Sequence, residues 1–151
     1  MSTNFVIDPF FGPAIQVYNG EYPSGAFIRL FKPVGKEVLI LLDLQENTIA
    51  SEQYAAYTKL ESWYPIGINS IYTALLAEMQ KDKDLFASWL SLSKIKQNFT
   101  LKVINLRQRW YTAQQPNNNI LAVLTYEFPL PSDWYVHVTQ NLSIGWCGLG
   151  D

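Results

Sequence analysis

The residues able to do chemistry are few and scattered. His137 is the only histidine and Cys147 the only cysteine in 151 residues. Ser132 and Asp133 lie just upstream of His137, and Glu127 a few residues before them. A general base needs an acid or a nucleophile within hydrogen-bond reach. In an extended segment, Ser132, Asp133 and His137 are strung along the chain and do not converge, and no Gly-x-Ser-x-Gly elbow occurs. Glu127 and Asp133 flank a proline-bounded loop, Pro129-Leu130-Pro131-Ser132, and are the carboxylates whose convergence would suit a small hydrolase using Glu127, Asp133 and His137. A lone histidine without His-Glu-x-x-His or Cys-x-x-Cys spacing does not make a zinc site, so no metal and no cofactor is expected. Cys147, next to Trp146 and without a basic neighbour in sequence, reads as a small buried hydrophobe. Gly145, Gly148 and Gly150 resemble a phosphate loop in composition, but no helix follows them. They are expected to permit a sharp terminal bend.

The elements that must position these residues follow from periodicity. Ile15 to Tyr18 leads to Asn19-Gly20, a hairpin-turn dipeptide, and Glu21-Tyr22 begins the return. Pro23-Ser24-Gly25 is expected to break that strand. Ala26 to Phe31 and Glu37 to Leu44 are further strands joined by Pro33-Val34-Gly35, and the near-continuous aliphatic content of the latter predicts burial on both faces. Near Ser51 the period changes to about 3.6. Tyr54, Tyr57 and Leu60, then Ile68, Ile71, Tyr72, Leu75, Leu76 and Met79, mark a helical face. Pro65 predicts two helices, the first over 51–63, or one kinked helix. A short helix or turn over Leu85 to Leu92 follows.

Alternation then returns from Phe99, with a change of parity after Val103 that signals a bulge or burial on both sides. Ile120 to Phe128 is a strand. Trp134, Val136 and Val138 alternate with Tyr135, His137 and Thr139, so His137 is expected to face water or an open groove. Gln140-Asn141 turns the chain into Leu142 to Trp146. Strands, helices, strands is the order of an α+β fold. It implies an antiparallel β-meander, a helical middle of two or three helices packed on one sheet face, and C-terminal antiparallel strands, all in one domain over 1–151.

Composition narrows the partner classes. The chain is 48% hydrophobic and 15% aromatic but only 16% charged, with a formal charge of −2. Nucleic acid is not the expected partner, because phosphate binding needs a concentrated basic face. No apolar run is long enough to span a bilayer, so no membrane association is expected. Met1 to Asp8 carries neither a basic nor an apolar signal region, and with a single cysteine this points to the cytoplasm. Five Trp, nine Tyr and eight Phe exceed what a core must absorb. Trp and Tyr at element ends are suited to interface anchors. Asp133, Trp134 and Tyr135, with Trp110 and Tyr111 as neighbours, are the expected partner-binding residues. No catalytic role is expected.

Four segments carry a resemblance. Val38-Leu39-Ile40-Leu41-Leu42 is followed by Ile49-Ala50-Ser51-Glu52-Gln53-Tyr54-Ala55-Ala56-Tyr57. The chain then continues through the Ile68 to Met79 helix to a close at Ile144-Gly145-Trp146-Cys147-Gly148-Leu149-Gly150-Asp151. In this order, over most of its length, the chain resembles an uncharacterised bacterial domain family whose members recur as immunity proteins of polymorphic toxin systems. Ala50 departs from the family pattern, which usually offers a Thr or Ser cap there. The resemblance implies a cytoplasmic protein that binds a cognate toxin and occludes its active site, across an interface of about 1,600 Å². It supplies no catalytic residue. An enzyme built on Glu127, Asp133 and His137, or a homo-oligomeric assembly protein using an exposed sheet edge, are the alternatives.

Overall fold

A computed structural model describes residues 5–19, 22–46, 48–108, 119–129 and 133–150. Among them the strands are β1 (Phe5–Asp8), β2 (Gly12–Asn19), β3 (Tyr22–Phe31), β4 (Lys36–Gln45) and β5 (Thr48–Ile49). A helical stretch follows: α1 (Ser51–Met79), α2 (Lys83–Phe86) and α3 (Leu92–Asn98), with 3-10 turns at Gln80–Asp82 and Ala87–Trp89. The chain returns to sheet with β6 (Thr100–Asn105), β7 (Ile120–Glu127), β8 (Trp134–Thr139) and β9 (Ile144–Leu149). This is the expected α+β order. All the described strands join one sheet in the order β1-β2-β3-β4-β6-β7-β8-β9, with β5 paired to the end of β4. Each pair is antiparallel except β4 and β6, which run parallel and fuse the two strand groups through the helical crossover. A parallel neighbour requires such a crossover, since a tight turn reverses the chain.

Two local expectations are corrected and a choice left between two alternatives is decided. Pro23-Ser24-Gly25 does not break a strand: β3 runs through it, with Ser24 opposite both Val17 and Asp43. Pro23 lacks only a ladder donor, and cross-strand pairing on both sides holds the segment extended. Asn19 pairs with Tyr22 and so belongs to the strand; the remainder of that turn, residues 20 and 21, lies outside the described residues. Of the two alternatives at Pro65 the division into two helices is overturned, since α1 continues through it for 29 residues. Burial explains this. The helix packs one long face on the sheet through Gln53, Tyr57, Leu60, Tyr64, Gly67, Ile71, Leu75 and Met79. Steps of three and four keep these positions on one stripe. Leu60, Ile71, Leu75 and Met79 are fully buried. Each such side chain stabilises by about 1.5–3 kcal/mol, enough together to outweigh one missing helix bond at the proline.

The start of α1 is fixed by packing and not by a cap. Ala50 offers no side-chain cap, and Gln53 instead anchors the first turn. Its amide Nε2 donates to the Leu106 carbonyl at 3.0 Å, while its Oε1 accepts from the Asp43 N–H at 3.0 Å. The other end of the sheet is tied to the helix by Asp8, whose Oδ2 accepts from the Phe10 and Phe11 N–H groups, each at 2.8 Å. Tyr54 donates its hydroxyl to the same carboxylate. Beside it, Arg29 stacks on Phe10 at 4.1 Å, donates to the Phe10 carbonyl at 2.7 Å and donates to the Tyr57 hydroxyl at 3.3 Å.

Candidate functional site

α1 covers one face of the sheet, and among the described residues no helix lies on the other. Strand alternation decides which side chains occupy each face. On β4, Val38, Ile40, Leu42 and Leu44 are buried beneath the helix, whereas Leu39 and Leu41 point to the other face and are half-buried. Burial of β4 is thus complete on the helix side and partial on the other, where Asp43 is buried and Leu39 and Leu41 are half-buried. Register carries the outer face across the sheet in two rows. One runs Ile15, Ala26, Leu41, Asn105, Val123, His137 and Trp146. The other runs Ile28, Leu39, Val103, Thr125, Tyr135 and Gly148. Ile15, Ile28 and Trp146 are 50%, 67% and 50% exposed.

Toward β9 this face sinks into a hollow of about 390 Å³, lined by Leu41, Val103, Asn105, Arg107, Val123, Thr125, Tyr135, His137 and Trp146. The bulge between Leu101 and Val103 and the shift between His137 and Val138 bend the strands locally, which deepens the surface. Ile120 and Val123 with Tyr135 form a small apolar cluster on this side, separate from the main core. His137 meets Trp146 edge to face at 5.1 Å, and burial lowers its pKa. Asn105 orders the rim, its Oδ1 accepting from both the N–H and the Nε of Arg107 at 3.0 Å.

Glycines let the aromatic rings lie flat on the strand. A Cβ at Gly148 would stand 2.8 Å from the Trp146 ring, and one at Gly150 would stand 1.7 Å from the Tyr135 ring. The terminal bend expected of Gly145, Gly148 and Gly150 is thus corrected: the first two sit within β9, and Gly150 continues it, donating its N–H to the Asp133 carbonyl at 2.8 Å. The space beside Gly148 and Gly150 is occupied by the rings of Trp146 and Tyr135, and that beside Gly145 by the Thr139 methyl.

The residues expected to bind a partner separate on the structure. Tyr135 faces the hollow. Trp134 does not: it is 1% exposed, with its ring edge-on to Phe86 at 5.6 Å and Phe99 at 5.8 Å. It is a core residue, because strand parity turns it toward the helices, and its expected role as an anchor is corrected. Asp133 forms an ion pair with Lys102 at 2.7 Å and lies half-exposed at the end of β8. This hydrogen bond raises the Lys102 pKa. Trp110 and Tyr111 lie outside the described residues. Trp146, which occupies the site, is not among the expected partner-binding residues, because its place in the glycine-rich Gly145-Trp146-Cys147-Gly148 segment does not by itself set which face it takes. Its parity relative to Cys147, the buried neighbour, was the available signal.

Glu127, Asp133 and His137 are not brought together. Val123 is the residue opposite His137, and Glu127 stands four residues further along β7, about 13 Å at the rise of a strand. Asp133 is equally four residues from His137 along its own strand. Cys147 points inward, and burial pushes its thiol up to about 11. No group of three or more His, Cys, Asp or Glu among the described residues could hold a metal ion, and no helix of the described residues is long and apolar enough to cross a membrane.

Compared with protein-family models, curated proteins and solved structures, the chain matches none.

Proposed function

We propose that the chain is a non-catalytic binding protein that receives a protein partner on the open face of its sheet. The partner in this reading is the cognate toxin implied by the resemblance, held in the cytoplasm of the producing cell with its active site covered. The observation that supports it is the paired rows of outward side chains from Ile15 to Trp146, ending in the hollow floored by Val123 and flanked by Tyr135 and Trp146. The first row crosses seven strands, about 29 Å at the spacing of neighbouring strands. A protein surface of that width matches the roughly 800 Å² that each partner commits to a standard interface. Two aromatic anchors beside a hollow, surrounded by aliphatic side chains, is the arrangement of an interface hot spot with its water-excluding surround.

The test is co-purification with the product of the adjacent reading frame, followed by calorimetric titration of single variants. Trp146→Ala and Tyr135→Ala are each expected to weaken the complex by about 2 kcal/mol, or roughly 30-fold. Undiminished affinity in both variants, with the fold intact, rules the face out. Light scattering of the isolated chain separates the assembly reading, since a concentration-dependent dimer abolished by Trp146→Ala assigns the face to a second copy.

A further inference from the structure

A second cleft, of about 480 Å³, lies on the helical side of the sheet, remote from the open face. Its walls are the side of α1 at Ile68, the turn at Val34, and the start of β6 at Leu101 and the preceding Phe99. Three tyrosines, Tyr64, Tyr72 and Tyr126, line it. Tyr64 and Tyr126 are both buried and hydrogen-bond to each other through their hydroxyls. Two hydroxyls joined by one bond use one of their two protons, so the pair keeps one O–H to donate. Tyr72, on the same cleft, adds another hydroxyl. Lys36 and Lys96 stand at the mouth, and no carboxylate is among the residues that line the cleft.

We propose that this cleft binds a small organic carboxylate, with its apolar body between Ile68 and Phe99 and its carboxylate taken by the tyrosine hydroxyls and the two lysines. The chemistry selects this class. Hydroxyl donors and ammonium groups, with no carboxylate in the lining itself, favour an acceptor-only, negatively charged head. Burial holds the phenols neutral, so that they remain donors and do not add negative charge. Apolar walls favour a ligand that carries hydrocarbon over a bare inorganic anion. The volume lies within the range of small-molecule sites.

Calorimetric titration of the full chain with benzoate, octanoate, benzyl alcohol and inorganic phosphate tests this. Benzoate or octanoate, the two arms separating an aromatic from an alkyl body, is expected to saturate at about millimolar concentration, with benzyl alcohol and phosphate at least tenfold weaker. Tyr126→Phe, which removes one oxygen, and Lys96→Gln, at an exposed position, are each expected to reduce carboxylate affinity about tenfold. Trp146→Ala leaves it unchanged, which keeps this site distinct from the protein-binding face. The proposal is overturned if neither carboxylate saturates, if benzyl alcohol or phosphate binds as tightly as both carboxylates, or if Lys96→Gln and Tyr126→Phe bind with unaltered affinity.

Discussion

The indole of Trp146 lies across the backbone of Gly148, so close that a Cβ on that glycine would stand 2.8 Å from the ring. The two residues lie on the same side of β9, where the absence of a side chain at one gives the other a seat. An aromatic ring over a strand glycine shields backbone that would otherwise be left bare. Because the obstructing atoms are the far end of a side chain, Gly148→Ala is expected to move the ring and not the sheet. The indole N–H resonance of Trp146 should shift and partner affinity should fall several-fold, while thermal unfolding stays within a few degrees of the wild type.

Trp134 and Trp146 should respond oppositely to the same substitution. Trp134→Ala empties a core position and is expected to cost about 3–5 kcal/mol in urea unfolding. Trp146→Ala removes a half-exposed ring and should cost under about 1 kcal/mol while abolishing most partner affinity. Equal stability losses in the two variants would mean that the assignment of sheet faces is wrong.

Gln53 joins the start of α1 to the ends of β4 and β6. Replacing it by Leu preserves much of the volume but removes the buried bonds that its amide makes to the Asp43 N–H and to the Leu106 carbonyl, the latter keeping a longer bond of 3.5 Å from the Gln108 Nε2. Each buried hydrogen bond contributes about 0.5–1.5 kcal/mol, so Gln53→Leu is expected to lower stability by about 1–3 kcal/mol in chemical denaturation. A change under about 0.5 kcal/mol would show that water replaces the amide freely.

Alkaline pH should destabilise the fold through Tyr57. Burial pushes its hydroxyl up to about 12; Glu61 adds to that rise and Arg29 opposes it. The unfolded chain releases this proton near pH 10 and the folded chain does so later, so the folded state holds more protons in between. Stability is therefore full below about pH 10 and declines as pH rises toward 12. Tyr57→Phe should flatten this decline in unfolding free energies measured from pH 8 to pH 11, roughly the interval that brackets the unfolded phenol.

Cys147 should resist thiol reagents. Its side chain is buried and burial raises its pKa to about 11, leaving little thiolate near neutrality. Labelling by a disulfide reagent at about pH 8 is expected to follow unfolding, becoming fast only in denaturant. Rapid labelling of the native protein would place the thiol on the surface.

Local periodicity made much of this architecture legible. The alternation through Trp134, Val136 and Val138 separates the two faces of β8, and the change of parity after Val103 reveals the bulge that the structure places between Leu101 and Val103. The stripe from Tyr57 to Met79 marks the helix. These signals are readable because side-chain direction in a strand or helix depends only on near neighbours. Which of two alternating faces is covered is a different matter. That Trp134 is core while Tyr135 and His137 line an open hollow depends on where α1 packs, and the parallel pairing of β4 with β6 joins segments some sixty residues apart. The continuity of α1 through Pro65, the rings seated on Gly148 and Gly150, and the tyrosine cleft likewise arise from contacts between distant segments. Sequence by itself determined the elements and the two sides of each; only tertiary packing decided which side became core and which became surface, because burial is a property of the neighbours that arrive and not of the strand that receives them.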